Sequence, residues 1–190
     1  MKVTLLSLFA CLVTATLFPA MAADTAPIQA QDVDGQWRTL PPKGRLTIVM
    51  YTNADLEAES KALNKTLDPY RGAQDFLFIQ IVDLRGEIPG IARRMAEKQI
   101  RKELDIEATR EKPFYAKNGS KTDPRANLST IVDYGGSYLS RFNWDDRVEM
   151  VRFAIYNSKG VEIRRIDNTA DSKAVASYFR TLFGSNTAAQ

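Results

Sequence analysis

Asp83 and Arg85 stand two residues apart at the end of the apolar run Phe76-Leu77-Phe78-Ile79-Gln80-Ile81-Val82, and Arg152 lies inside a second such run, Val148 to Tyr156. A carboxylate and two guanidinium groups gathered where strands end could seat an anionic ligand or move a proton, because open α/β sheets bind ligands at the carboxyl ends of their strands. The simpler reading of the same residues is a structural ion pair. Asp55, Glu57 and Glu59 add carboxylates that, with Asp83, could surround a hard cation. Acidic residues are also what the first turn of a helix favours, since they complement its dipole. No calcium-loop spacing accompanies them, so neither a metal nor a cofactor is expected. Asp145-Asp146 with Asp133 form another acidic group, but adjacent loop residues point apart and stay solvated.

The residue types that are missing exclude more chemistry than those present supply. The chain has no histidine and one cysteine, Cys11. Without histidine there is no serine triad of the usual kind and no histidine-based zinc site. Neither a GxxxxGK[ST] nor a GxGxxG phosphate loop occurs. Lys and Arg number 26 against 23 Asp and Glu, a net of +3 that is too small to imply nucleic-acid binding. Arg93-Arg94, Lys98, Arg101 and Lys102 form a basic stretch, but Glu97, Glu103, Asp105 and Glu107 interrupt it, which reads as a solvated helix face. Tyr134, Tyr138, Phe142 and Trp144 are clustered; some must be core, while an exposed Trp144 beside Gly135-Gly136 would suit a partner or ligand.

Lys2, the apolar run Leu5 to Phe18 and the small residues of Ala20-Met21-Ala22 have the form of a secretory signal peptide cut after Ala22. The run is too short for a membrane span. Leu8-Phe9-Ala10-Cys11 resembles a lipobox, but too few residues precede Cys11 for charged and apolar signal regions, so the cysteine is taken as filler of the leader. The expected arrangement is a signal peptide at 1–22 and a single domain at 23–190, periplasmic or secreted, without cysteine and without a membrane span.

These candidate residues need a frame, and the apolar patterning supplies one. Asp34-Gly35 between segments carrying Val33 and Trp37 signals a small hairpin. Leu46 to Tyr51 and Phe76 to Val82 read as strands buried on both faces. Thr52 or Asn53 can cap a helix reaching about Tyr70, and Ile88 to Ala108 carries a second amphipathic stripe. Glu111 to Asn127, with Pro113, Gly119 and Pro124, reads as an exposed loop. Then follow a strand Leu128 to Val132, a glycine turn, a short helix Ser137 to Phe142, a strand pair Val148 to Tyr156 and Val161 to Ile166, and a last helix Asp171 to Phe183 stopped by Gly184. Alternating strands and helices imply a parallel sheet with right-handed crossovers, and the closing pair adds an antiparallel portion.

That order, with Asp34-Gly35 before the first buried strand and Ala154-Ile155-Tyr156-Asn157-Ser158-Lys159-Gly160 near the end, resembles the thioredoxin superfamily, in particular its peroxiredoxin-like branch and the secreted YtfJ-type members. Leu128 to Asp133 with the following glycine turn is similar to the extra strand and turn of peroxiredoxin-like proteins. The resemblance implies an α/β three-layer sandwich with a mixed central sheet and an N-terminal β-hairpin. It also implies where thiols would stand, and here they do not. Asp55-Leu56-Glu57-Ala58 occupy the place of a Cys-x-x-Cys, Glu59 and Ser60 the place of a peroxidatic cysteine, and Val151 that of the cis-proline. Arg152 falls one residue from the peroxiredoxin arginine, which in a strand reverses its face. The expected function is therefore a non-redox binding or assembly module, with a protein or small-molecule partner in the periplasm. The alternatives are a non-thiol enzyme using carboxylates and arginine at the strand ends, or a structural subunit of a redox assembly. The expected working face comprises Asn53, Asp55, Asp83, Arg85 and Arg152, with Trp144 beside it.

Overall fold

The computed structural model describes residues 27–85, 90–144, 149–167, 169–170 and 172–187. The expected signal peptide and the Asp145-Asp146 pair lie outside these residues.

The hairpin is formed by β1 (Ile28–Gln31) and β2 (Trp37–Leu40), paired antiparallel. Its loop is organised by Asp32, whose carboxylate accepts from the backbone N–H groups of Asp34 at 3.0 Å and Gln36 at 2.8 Å. Asp32 also takes Arg38 Nε at 2.9 Å and the Ser129 hydroxyl at 2.9 Å, while Val33 N–H donates to the Thr130 carbonyl. These bonds fasten the hairpin to the edge of the main sheet.

That sheet contains β3 (Leu46–Asn53), β4 (Phe76–Asp83), β5 (Leu128–Asp133), β6 (Arg152–Tyr156) and β7 (Glu162–Ile166), in the order β5-β4-β3-β6-β7. β3, β4 and β5 are parallel; β6 runs antiparallel to β3, and β7 to β6. Side chains alternate across the sheet, and both faces are covered. One face packs Ile48, Met50, Phe76, Phe78, Phe153 and Ile155 against helices α1 (Glu57–Lys65), α2 (Gly90–Lys117) and α4 (Ser172–Thr187). The other packs Val49, Tyr51, Ile79, Ile81 and Ala154 under the hairpin and the short helix α3 (Ser137–Arg141). This double burial is why the parallel strands read as continuous apolar runs.

Three expectations are corrected. The first helix ends at Lys65, and a separate 3-10 turn at Asp68–Tyr70 completes its apolar stripe. Within the expected loop Glu111 to Asn127, residues 111–117 are instead the last two turns of α2, 118–123 are loop, and Pro124–Asn127 form a 3-10 turn. Pro113 lies on the exposed side of the helix, and Thr109, whose carbonyl loses its N–H partner, is exposed as well. The opposite side is anchored: Glu111 faces Arg71 at 3.1 Å with both side chains fully buried, and the Tyr115 hydroxyl accepts from Asn127 Nδ2 at 2.8 Å. Gly72, with φ +76°, lets the chain approach so closely that a Cβ there would stand 2.7 Å from Tyr115 Cα. The long polar stretch thus hid the two inward positions that decide its structure. Finally, Gly184 does not stop α4: its φ is not positive and the helix continues to Thr187, held by Val175, Phe179 and Phe183 in the core.

Candidate functional site

β3, β4 and β5 end at the same level. Asn53, Asp83 and Asp133 are in-register neighbours across the three strands, and β4 and β5 close on the same tripeptide, Ile81-Val82-Asp83 and Ile131-Val132-Asp133. Two aspartates therefore lie side by side at the carboxyl edge of the parallel sheet, 8% and 1% exposed. The sequence groups Asp133 only with Asp145-Asp146. The repeated tripeptide was the available signal for its true neighbour.

Each aspartate is occupied from within. Asp133 accepts from the backbone N–H groups of Gly135, Gly136 and Ser137 through Oδ1, at 3.2, 2.7 and 3.2 Å, and from Tyr138 N–H through Oδ2 at 3.0 Å. Its Oδ2 also takes the Tyr51 hydroxyl at 3.2 Å. Asp83 is clasped by Arg85: Nε reaches Oδ1 and Oδ2 at 3.1 and 3.0 Å, Nη2 reaches Oδ2 at 2.9 Å, and the Arg85 backbone N–H reaches Oδ1 at 3.0 Å. The Arg85 side chain crosses directly over Gly136, where φ is +73° and an added Cβ would stand 2.4 Å from Arg85 Cδ. Only glycine serves there, for both the backbone angle and the space.

Tyr51, the last residue of the apolar run that predicts the first buried strand, is the centre of this edge. Burial, and then the charges of Asp133 and Asp83, push its hydroxyl far above the usual tyrosine range. The hydrogen bond to Asp83 holds the Arg85 guanidinium firmly charged. Arg152 is the in-register neighbour of Tyr51 on β6 and is 8% exposed, so β3 separates it from Asp83. The structure thus joins Asp83 to Arg85, brings Tyr51 to Asp133 beside them, and sets Arg152 next to Tyr51 with β3 between it and Asp83. Asn53 caps the 3-10 turn Ala54–Leu56, its Oδ1 accepting from Leu56 N–H at 3.0 Å, while Asp55 is exposed in that turn.

Trp144 does not form an exposed patch. The left-handed turn at Gly136 and a second at Asn143, φ 52°, fold the segment back onto the sheet, and Trp144 is 6% exposed. Its indole stacks on Phe142 at 4.8 Å, meets Tyr51 edge-on at 5.6 Å and donates from Nε1 to Asp167 at 2.8 Å. The exposed indole is that of Trp37 on the hairpin.

The other carboxylates are also engaged. The Thr169 hydroxyl lies 2.7 Å from the Val151 carbonyl and 2.8 Å from a Glu59 carboxylate oxygen, one of which takes its proton. Glu57 pairs with Lys61 at 2.5 Å. Among the described residues no cluster of three or more histidine, cysteine, aspartate or glutamate side chains could hold a metal ion. The strand-end edge is therefore a closed network: two carboxylates meet one guanidinium, a tyrosine hydroxyl and backbone donors, and no side chain of the network is a free nucleophile. Chemically it braces the ends of three strands.

A mixed five-stranded sheet with β3, β4 and β5 parallel, an antiparallel closing pair and helices on both faces defines a thioredoxin-like fold. Two solved structures bear this out. The pneumococcal exposed lipoprotein thioredoxin Etrx1 of Streptococcus pneumoniae strain TIGR4 superposes with a TM-score of 0.52 at 16% identity, over 82% of this chain and 99% of its own. Yeast Sco1, solved with copper bound, superposes with a TM-score of 0.54 at 9% identity, over 85% of this chain and 92% of its own. No family model matches the sequence, and no curated protein does. Among the described residues no helix is long and apolar enough to cross a membrane.

Proposed function

We propose that this protein is an exported binding or assembly module that uses the thioredoxin scaffold without thiol chemistry. One observation carries the reading. At the helix start after β3, where the resemblance places the cysteine pair of redox members, stand Asp55, Leu56, Glu57 and Ala58, and Asn53 just before them is used as a cap. The single cysteine, Cys11, lies in the apolar leader-like segment, so cleavage after Ala22 leaves a single domain, 23–190, with no group able to form a thiolate or disulfide. Leu128–Asp133 and its glycine turn support a place beside the peroxiredoxin-like branch. The closed state of Asp83, Arg85 and Asp133 weighs against an enzyme using those groups, since each acceptor already has its donor. What the edge offers a partner is its exposed rim, Ala54 and Asp55, on a rigid base.

The test has two arms. Protein recovered from the cell envelope, beginning at Ala23 or Asp24 by intact mass, is expected neither to reduce insulin disulfides nor to consume peroxide with thiol donors. A photo-crosslinking residue at Asp55 is expected to capture a discrete partner in the producing cells, and one at Lys159, in the turn between β6 and β7 at the opposite end of the sheet, is not. Thiol-dependent turnover by homogeneous protein, or equal crosslinking from both positions, would overturn the reading.

A further inference from the structure

The basic stretch of α2 is not an interrupted patch once it is wound into a helix. At 100° per residue, Arg94, Lys98, Lys102, Lys112 and Lys117 fall within an arc of about 140°. Glu97, Glu103, Glu107 and Glu111 fall in the remaining arc, toward the body of the protein. Side-chain partners explain the separation. Glu97 accepts from the Tyr134 hydroxyl at 3.0 Å, Glu103 faces Lys61 of α1 at 3.7 Å, and Glu107 accepts from Asn64 and Arg110 at 2.5 and 2.7 Å. Glu111 is buried against Arg71. The one acidic residue on the outer arc, Asp105, is bonded to Arg125 Nε at 3.0 Å. The five outward cations are all exposed, and no hydrogen bond or ion pair joins them to any described residue. Cations on the inner sides are used: Arg93 lies 4.4 Å from the Tyr134 ring centroid, and Arg110 binds Asp68.

The outer face is thus a rod of unpaired positive charge about 35 Å long, taking 1.5 Å per residue from Arg94 to Lys117. Between the cations project Met95, 71% exposed, and Ile106, 53% exposed. We infer that this face of α2 docks the protein on an anionic membrane surface, with the cations among lipid headgroups and Met95 and Ile106 dipping between them. The face follows the cylinder of the helix, and none of its five cations, Met95 or Ile106 lines the grooves at the hairpin. A plane of headgroups fits it better than a folded protein, which would need a matching trough. Four of the five cations are lysines, flexible point charges that suit a mobile array of phosphates more than one fixed, bidentate partner. No aromatic side chain lies among them to stack on nucleic-acid bases. The inference stands whatever partner the strand-end edge takes.

Vesicle co-sedimentation of the protein as recovered from its host tests it. At about 50 mM salt the protein is expected on phosphatidylglycerol–phosphatidylethanolamine vesicles and not on phosphatidylcholine vesicles, and about 0.5 M salt should release it. Each surface cation contributes about fivefold in partitioning, so the K98Q/K102Q/K112Q variant should bind anionic vesicles about 100-fold less. Melting should be unchanged, because the three side chains have no partners to lose. M95S/I106S should weaken binding without altering its salt dependence. An apolar N-terminus, if retained, adds to both vesicle types alike, so the difference between them is the readout. Equal partitioning to both vesicle types, wild-type binding by the triple variant, or binding to polyglutamate with none to anionic vesicles would each overturn the inference.

Discussion

Replacing Glu111 by glutamine should make the protein more stable at pH 8 while leaving it little changed at pH 5. Glu111 is fully buried beside Arg71, with Glu107, Arg110, Asp68 and Tyr115 around the pair. Burial raises its carboxyl from an ordinary 4.5 to about 7, because loss of water outweighs the attraction of Arg71. Arg71 is itself costly: it donates to Asn64 Oδ1 at 2.6 Å and lies 5.0 and 5.3 Å from the Phe76 and Phe78 ring centroids. Its Nε and Nη1 have no hydrogen-bond acceptor among the described residues. The fold therefore prefers Glu111 neutral. Its contribution is fully present below about pH 4.5 and is lost as the pH rises to about 7, a loss on the order of 3 kcal/mol. Glutamine keeps the shape and cannot ionise. Relative to wild type, E111Q should then gain about 3 kcal/mol between pH 5 and pH 8, or about 6–12 °C in melting temperature for a chain of this size. Urea unfolding of both proteins at pH 5, 6, 7 and 8 measures it. The competing expectation is that breaking a buried ion pair costs about 3–5 kcal/mol. If E111Q loses more at pH 8 than at pH 5, the ion pair dominates and the reasoning from desolvation fails.

Asp133→Ala removes the acceptor of four backbone N–H groups and of the Tyr51 hydroxyl, and should cost about 3 kcal/mol or more by chemical denaturation; a loss below about 1 kcal/mol would show that water replaces the carboxylate. Gly136→Ala must accept φ +73° and displace Arg85, costing about 1–3 kcal/mol, and the double variant with Arg85→Ala should recover the part due to crowding. Trp37→Phe leaves only the buried Trp144, and Trp144→Phe only the exposed Trp37. Trp37→Phe should therefore give blue-shifted fluorescence shielded from acrylamide, and Trp144→Phe the reverse; the opposite assignment would refute the packing of residues 134–144.

Composition and apolar patterning alone exclude histidine chemistry and lay out most of the framework. One cysteine within an apolar leader-like segment and no histidine are facts of composition that no folding can change. The strands β3, β4 and β5 were legible because burial on both faces leaves an uninterrupted apolar run, and the Asp34-Gly35 turn because it needs a left-handed residue, met by Gly35 at φ 79°. What depends on pairs of distant residues was not legible. The helix through Pro113 rests on Glu111 and Tyr115 finding Arg71 and Asn127, which the local polar, proline-marked sequence contradicts. Trp144 is buried because two left-handed turns fold its segment back onto the sheet. The strand-end network required the register that sets Asp83 beside Asp133, and the charge separation along α2 required the helical winding together with partners on α1 and the loops. Composition acts on every residue alone; register and burial act on pairs, and only the tertiary structure selects the pairs.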